Sequence, residues 1–155
     1  MLYNFSWVIP GRLAGLSQPG RGGGLAAELA ELRAQGLDCL VSLTESAADF
    51  GPACAAAGLA WEYFPIPEFD VPEDAQAFHR LVERLSARLA GGQAVAAHCY
   101  AGVGRTGLLL ACLLGRLEHL PGEEAIRRLR LLRPALETPE QEQFVRRYLR
   151  REPAG

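Results

Sequence analysis

Cys99 and Arg105 stand six positions apart in AVAAHCYAGVGRTGLLLACLL (94–114), on a bend that also carries Gly102, Gly104 and Gly107. An apolar run enters this bend and a second one leaves it. Backbone N–H groups in such a loop, and in the first turn of a following helix, have no partners in the chain and point at a common anion site. Glycines let the backbone curl tightly enough to approach an oxyanion. Arg105 adds a planar fork of donors able to take two phosphate oxygens at once. A thiol in such surroundings ionises more readily than a free one. Cys99 is therefore expected to attack phosphorus while Tyr100, Ala101, Gly102, Val103, Gly104 and Arg105 hold the non-bridging oxygens and stabilise charge in the transition state. Thr106 would place a hydroxyl near the sulfur and ease departure of the thiolate. His98 is expected to hydrogen-bond the backbone and hold the loop's shape rather than to attack. The Gly-Lys-Ser/Thr of a nucleotide-binding loop is missing. The competing reading is a glycine-rich turn around a buried cysteine.

The flanking elements must present this loop. Val8–Ile9 and residues 12–14 read as short strands among Pro and Gly punctuation. Residues 25–36 place Leu25, Leu29 and Leu32 on one helical face. Residues 38–45, 59–67 and 94–98 read as strands, and 74–92 as an amphipathic helix with Phe78, Leu81, Leu85 and Leu89 inward. Residues 107–120 form a helix apolar on nearly all sides, the buried central one. Two helices, 122–134 and 138–151, complete the chain. Thr138, Pro139 and Gln141 make a capping box. Strands alternating with helices predict an α/β domain: a mostly parallel sheet of four to five strands with helices on both faces. One domain is expected over residues 1–151, with a tail at 152–155.

The chain has 155 residues and a net charge of −2, which gives no general attraction to nucleic acid or anionic membranes. All sixteen basic residues are Arg, read as a coding bias. No apolar run spans a bilayer and the start lacks a basic leader region, so neither a membrane segment nor a secretory signal is expected. Cys39, Cys54, Cys99 and Cys112 show no CxxC spacing, which points to free thiols and a reducing, cytoplasmic setting. Cys39 or Cys54 pairing with Cys99 under oxidation is the alternative. No metal or other cofactor is expected, and the protein is read as a monomer.

HCYAGVGRTG (98–107) resembles the signature loop of the protein tyrosine phosphatases, in the form used by dual-specificity members. NFSWVIPGRLAG (4–15), SLTE (42–45), IPEF (66–69), LRLLRP (129–134) and ET followed by EQE (137–142) extend the likeness to the small atypical dual-specificity phosphatases, over nearly the whole chain. The resemblance implies that family's fold and a cysteinyl-phosphate intermediate. It also implies an aspartic general acid ahead of the nucleophile, in a stretch like Ile-Pro-Asp-Phe. Here the stretch is IPEFDVP, so the register favours Glu68 and leaves Asp70, two residues on, as the alternative. Glu73, Asp74 and Glu137 are more distant candidates. Gln141 would position the hydrolytic water, or merely complete the cap with Thr138. His79 and His119 read as surface residues. Arg127, Arg128, Arg130 and Arg133 read as a solvated face paired with Glu123 and Glu124, the alternative being that Arg133 supports the loop from below.

With no basic residue among positions 100–104, a highly phosphorylated lipid head group is disfavoured. A phosphorylated protein or peptide is the expected partner, carrying phosphotyrosine and also phosphoserine or phosphothreonine. The alternatives are a phosphate-binding module without turnover, and a phosphatase of small metabolites or lipids.

Overall fold

The computed structural model describes residues 1–151, and the tail 152–155 lies outside the described residues. Five strands, β1 (Ser6–Ile9), β2 (Leu13–Leu16), β3 (Cys39–Ser42), β4 (Ala60–Tyr63) and β5 (Val95–His98), form one sheet in the order β1-β2-β5-β3-β4. Only β1 runs antiparallel, paired with β2 through a tight turn at residues 10–12. The other pairs are parallel, as helical crossovers require. The expected sheet is the observed one.

Helices α1 (Leu25–Ala34) and α2 (Gly51–Ala56) cover one face over Leu29, Leu32, Leu40, Phe50 and Ala96. Helices α3 (Ala75–Ala90), α4 (Gly104–Glu118), α5 (Gly122–Leu132) and α6 (Pro139–Arg151) cover the other. The alternation of β3 shows the two layers: Cys39 and Val41 face the larger core, Leu40 the smaller. α2 and a 3-10 turn at Glu45–Ala47 were not expected from the sequence. Both are too short to carry a readable period.

α4 is buried at every position from Gly104 to Gly115. It begins at Gly104 rather than at the expected Gly107, so Arg105 and Thr106 belong to its first turn. β5 is the central strand, and Cys99 follows directly at its C-terminal end. That is the crevice where open α/β sheets bind ligands.

Phe78 of α3 is fully buried and packs edge-on against Phe64, Phe144 and Tyr148, with ring centroids 6.0, 5.2 and 5.6 Å away. This cluster fastens α6 to the sheet. Phe78→Ala is expected to lower unfolding free energy by about 3–5 kcal/mol, read from the urea midpoint, because the three rings cannot collapse into the void.

Candidate active site

The loop 99–103 is shaped from outside, through its carbonyls. The Cys99 carbonyl accepts from His98 Nδ1 at 3.0 Å. Tyr100 O accepts from Gln18 N and from Arg21 Nη1, both at 3.0 Å. Ala101 O accepts from Ser17 Oγ at 2.8 Å and Asn4 Nδ2 at 3.1 Å. Gly102 O accepts from Arg133 Nη2 at 2.7 Å. Val103 O accepts from Gly107 N at 3.0 Å and Leu136 N at 2.9 Å. Five successive carbonyls thus face the surrounding protein, and their amides are turned the other way. The N–H groups of Tyr100, Ala101, Val103, Gly104, Arg105 and Thr106 have no partner among the described residues.

Cys99 is buried, and its sulfur accepts from Gly102 N at 3.3 Å. Gly102 has φ +81, and a methyl group there would lie 2.5 Å from Leu16 O and 2.8 Å from Ser17 N. Only glycine both adopts this conformation and lets the loop lie against β2. Arg105 is nearly buried and gives one N–H to Ile66 O at 3.3 Å. Thr106 is fully buried, and its hydroxyl has no partner.

The tautomer of His98 is fixed by its two partners. Trp61 Nε1, which can only donate, binds Ser42 Oγ at 2.9 Å. The Cys99 carbonyl facing Nδ1 can only accept, so Ser42 Oγ, 2.6 Å from His98 Nε2, gives its single hydrogen to the neutral ring there. Nε2 therefore carries the lone pair, and the proton sits on Nδ1, facing the Cys99 carbonyl. Burial, with the nearby Arg105 charge, pushes the His98 pKa down to about 4 against the bond to Cys99 O, which raises it. Phe50 stacks on the ring at 5.7 Å. The bond expected from His98 to the loop backbone is the one from Nδ1 to Cys99 O. Ser42 and Trp61, which fix its tautomer, were missed.

Arg133 is buried behind the loop. It binds Ser6 Oγ at 2.8 Å as well as Gly102 O. Burial lowers its pKa to about 10, opposed by the charge of Cys99, so it remains a cation at neutral pH. Of the four arginines read as a solvated face, Arg127 and Arg128 do pair with Glu124. Arg130 instead reaches Ala135 O and Glu142. Arg133 takes the supporting place given as its alternative.

The segment ahead of the nucleophile folds into a turn. Asp70 N donates to Pro67 O at 3.1 Å, with Phe69 in the left-handed region at φ 61. Asp70 Oδ1 is occupied by Val71 N at 2.8 Å. Glu68 is exposed at the tip of the turn. Asp74 caps α3, accepting from Gln76 N and Ala77 N. Glu137 rests its carboxylate against Gly104 of the loop. Gln141 is fully buried, takes Glu137 N on Oε1 at 2.8 Å and gives Nε2 to Asp70 O at 3.1 Å. Its own N–H binds Thr138 Oγ1 at 3.1 Å, so half of the capping box forms. The other half is redirected to Glu137. Asp70, Glu137 and Gln141 thus meet at the edge of the loop.

Burial pushes the thiols of Cys39 and Cys54 up to about 11 and that of Cys112 well above the usual range. All four cysteines are free. His79, expected at the surface, is half-buried against Tyr148 OH at 2.8 Å, with Glu83 at 3.1 Å.

The family model for "Polymorphic toxin system, DSP-PTPase phosphatase" matches residues 14–118. The chain belongs to the dual-specificity phosphatases. The dual specificity protein phosphatase 12 of Homo sapiens is 33% identical over 122 residues, 76% of this chain, and the chain spans 35% of that relative's length. The solved structure of Tk-PTP in its active form covers 96% of this chain and 98% of its own, at 26% identity and a TM-score of 0.82. A kinase associated phosphatase whose catalytic cysteine is replaced by serine matches with a TM-score of 0.82 at 21% identity, covering 98% of this chain and 97% of its own. The dual-specificity phosphatase read from the signature loop is therefore a cysteine-based phosphatase of the protein-tyrosine and dual-specificity class. Among the described residues no helix is long and apolar enough to cross a membrane.

Two outcomes test the loop. Gly102→Ala is expected to lower phosphate affinity at least tenfold by titration, since the loop must leave β2 to admit the methyl group. For His98, the unfolded imidazole takes its proton near pH 6.5 and the folded one only near 4. Stability from this group is complete above pH 6.5 and falls by about 3 kcal/mol in total as pH drops through that window. The urea midpoint is expected to decline from pH 7 to 4.5 while the His98 ring signals stay neutral by NMR; protonation of the folded ring at pH 6 would contradict this.

Proposed function

We propose that this phosphatase acts on phosphorylated proteins or peptides, hydrolysing phosphotyrosine and also phosphoserine and phosphothreonine through a cysteinyl-phosphate intermediate, with residues 1–151 as its catalytic domain. The observation that carries the reading is the ring of inward amides around Cys99, closed by Arg105. Three non-bridging oxygens fit such a ring, and Arg105 has four N–H groups left after its bond to Ile66 O. The Cys99 thiolate attacks phosphorus in line, the S–P bond forms and the P–O bond to the substrate breaks. A carboxylic acid gives its proton to the departing oxygen. Water then attacks phosphorus, its proton returns to the carboxylate, and the sulfur leaves as thiolate with inorganic phosphate as the product. Thr106, whose buried hydroxyl is unengaged, donates to that leaving sulfur. Gln141 orients the water beside Gly104.

Glu68 is the proton donor favoured by register, and its carboxylate is free of the turn that holds Asp70 Oδ1. Asp70 keeps its other oxygen available. Glu137, already in contact with Gly104, is the third carboxylate within the site. The lack of a basic side chain from Tyr100 to Gly104 supports a peptide over a polyphosphorylated lipid. The exposed edge at Phe69 and Tyr100 supports a shallow cleft open to phosphoserine and phosphothreonine.

Cys99→Ser is expected to abolish turnover of an aryl phosphate and retain vanadate binding; turnover near that of the parent refutes the nucleophile assignment. Arg105→Lys is expected to cost about 10²–10³ in rate, since an ammonium cannot replace the fork. The donor is found by comparing Glu68→Gln, Asp70→Asn and Glu137→Gln. The one that loses the descending limb of the pH–rate profile, with a fall of about 10²–10⁴, carries the proton. A profile that keeps both limbs in all three variants removes the acid from this loop. No turnover of any phosphomonoester by the parent chain would leave only a phosphate-binding module. Hydrolysis of nucleotides or phosphoinositides in preference to phosphopeptides would replace the protein substrate.

A further inference from the structure

Arg21 occupies an unusual place for an exposed cation. Its guanidinium lies 3.9 Å over the Tyr100 ring, and its Nη1 donates to Tyr100 O at 3.0 Å. Tyr100 directly follows the nucleophile and is 49% exposed. The strap that carries Arg21, residues 17–24, is fixed at several points. Ser17 Oγ and Gln18 N bind the carbonyls of Ala101 and Tyr100. Gly20 N donates to Glu28 Oε1 at 2.9 Å, and Glu28 is 1% exposed. Gly22 lies against the Tyr3 ring, where any side chain would collide. No acidic side chain pairs with Arg21 among the described residues. Stacking uses the face of a guanidinium, and the bond to Tyr100 O takes one of its five N–H groups, so four remain, enough to grip a carboxylate with two parallel bonds. Across the cup the charge is opposite: Glu137 touches Gly104, and Asp70 and Glu68 stand on the adjoining turn.

We infer that Arg21, held on Tyr100, forms a second anion subsite beside the cup, which selects phosphopeptides bearing an acidic side chain two or three residues from the phosphorylated one. The inference rests on the protein-phosphatase reading above and deepens it. One Cα step of about 3.8 Å separates Tyr100 from Cys99, so the guanidinium held on Tyr100 lies beside the cup. An extended peptide covers about 3.3–3.6 Å per residue, so the second or third neighbour reaches it. The acidic rim opposite sets the direction, repelling the same acidic flank there.

The test uses the full chain and a set of phosphotyrosine peptides with one Asp, Ala or Lys placed at each position from −3 to +3. Asp at one side of the phosphotyrosine is expected to raise kcat/KM roughly three- to tenfold over Ala, mostly through KM, and the gain shrinks as salt rises. Arg21→Ala is expected to erase that preference, and Arg21→Glu to turn it towards Lys at the same position. A preference for Asp that survives in Arg21→Ala, or indifference of the parent chain to flanking charge, overturns the subsite and leaves the protein-phosphatase reading standing. Failure to hydrolyse any of these peptides while phosphoinositide vesicles or nucleotides are turned over overturns the reading itself, and the subsite with it.

Discussion

The site depends on where five carbonyl groups point. A peptide unit carries its C=O and N–H on opposite sides, so fixing the carbonyls of Cys99, Tyr100, Ala101, Gly102 and Val103 outward fixes the next amides inward. Cys99 O is held by the adjoining His98, and the other four by distant parts of the chain: Gln18 with Arg21, Ser17 with Asn4, Arg133, and Leu136. The chain itself therefore sets the direction of the amides that the proposed phosphate would meet. Its donors need no reorganisation during reaction, the condition under which electrostatic stabilisation is strongest.

Two guanidiniums act on opposite faces of this loop. Arg133 lies behind it, buried and without a carboxylate, its Nε lacking a partner. An uncompensated buried cation is costly. The cost is offset by two hydrogen bonds and by whatever negative charge the cup holds, whether thiolate or phosphate. Gly15 makes room for it: a methyl group there would lie 2.8 Å from Arg133 Nη1. His98 contributes direction rather than charge. Trp61 at one end of its chain can only donate and the Cys99 carbonyl at the other can only accept, so every hydrogen between them has one place to go. Protonating His98 would leave the Ser42 hydrogen without an acceptor in that chain.

The chemistry-bearing residues were legible because they are contiguous. The signature from His98 to Gly107 packs nucleophile, amides and fork into ten positions. The sheet and its long helices were legible through period. What stayed hidden is the support. Arg133 was open only as an alternative; Asn4, Ser17 and Gln18 lie 82 to 98 positions from the loop carbonyls they hold, and nothing local in "NFSW" or "LSQPG" announces a bond to the loop. Ser42 and Trp61 read as ordinary strand residues, and only the register Ser42↔His98 between β3 and β5 brings them together. The start of α4 was set three residues late because Gly104 reads as loop. The first turn closes already at Gly107 N on Val103 O, and the missing side chain of Gly104 leaves room for the Glu137 carboxylate.

The turn that carries Glu68 and Asp70 is coupled to the same cup. Its left-handed Phe69 costs on the order of 1–2 kcal/mol. The turn bond from Asp70 N to Pro67 O holds it, and so do two tethers: Arg105 on Ile66 O and Gln141 on Asp70 O. Both tethers come from residues assigned to the proposed phosphate site. A guanidinium has five N–H groups, so the single bond to Ile66 O leaves four of them on Arg105 for the proposed phosphate. The turn that bears Glu68 and Asp70 is thus placed from two directions, by the first turn of α4 through Arg105 and by α6 through Gln141.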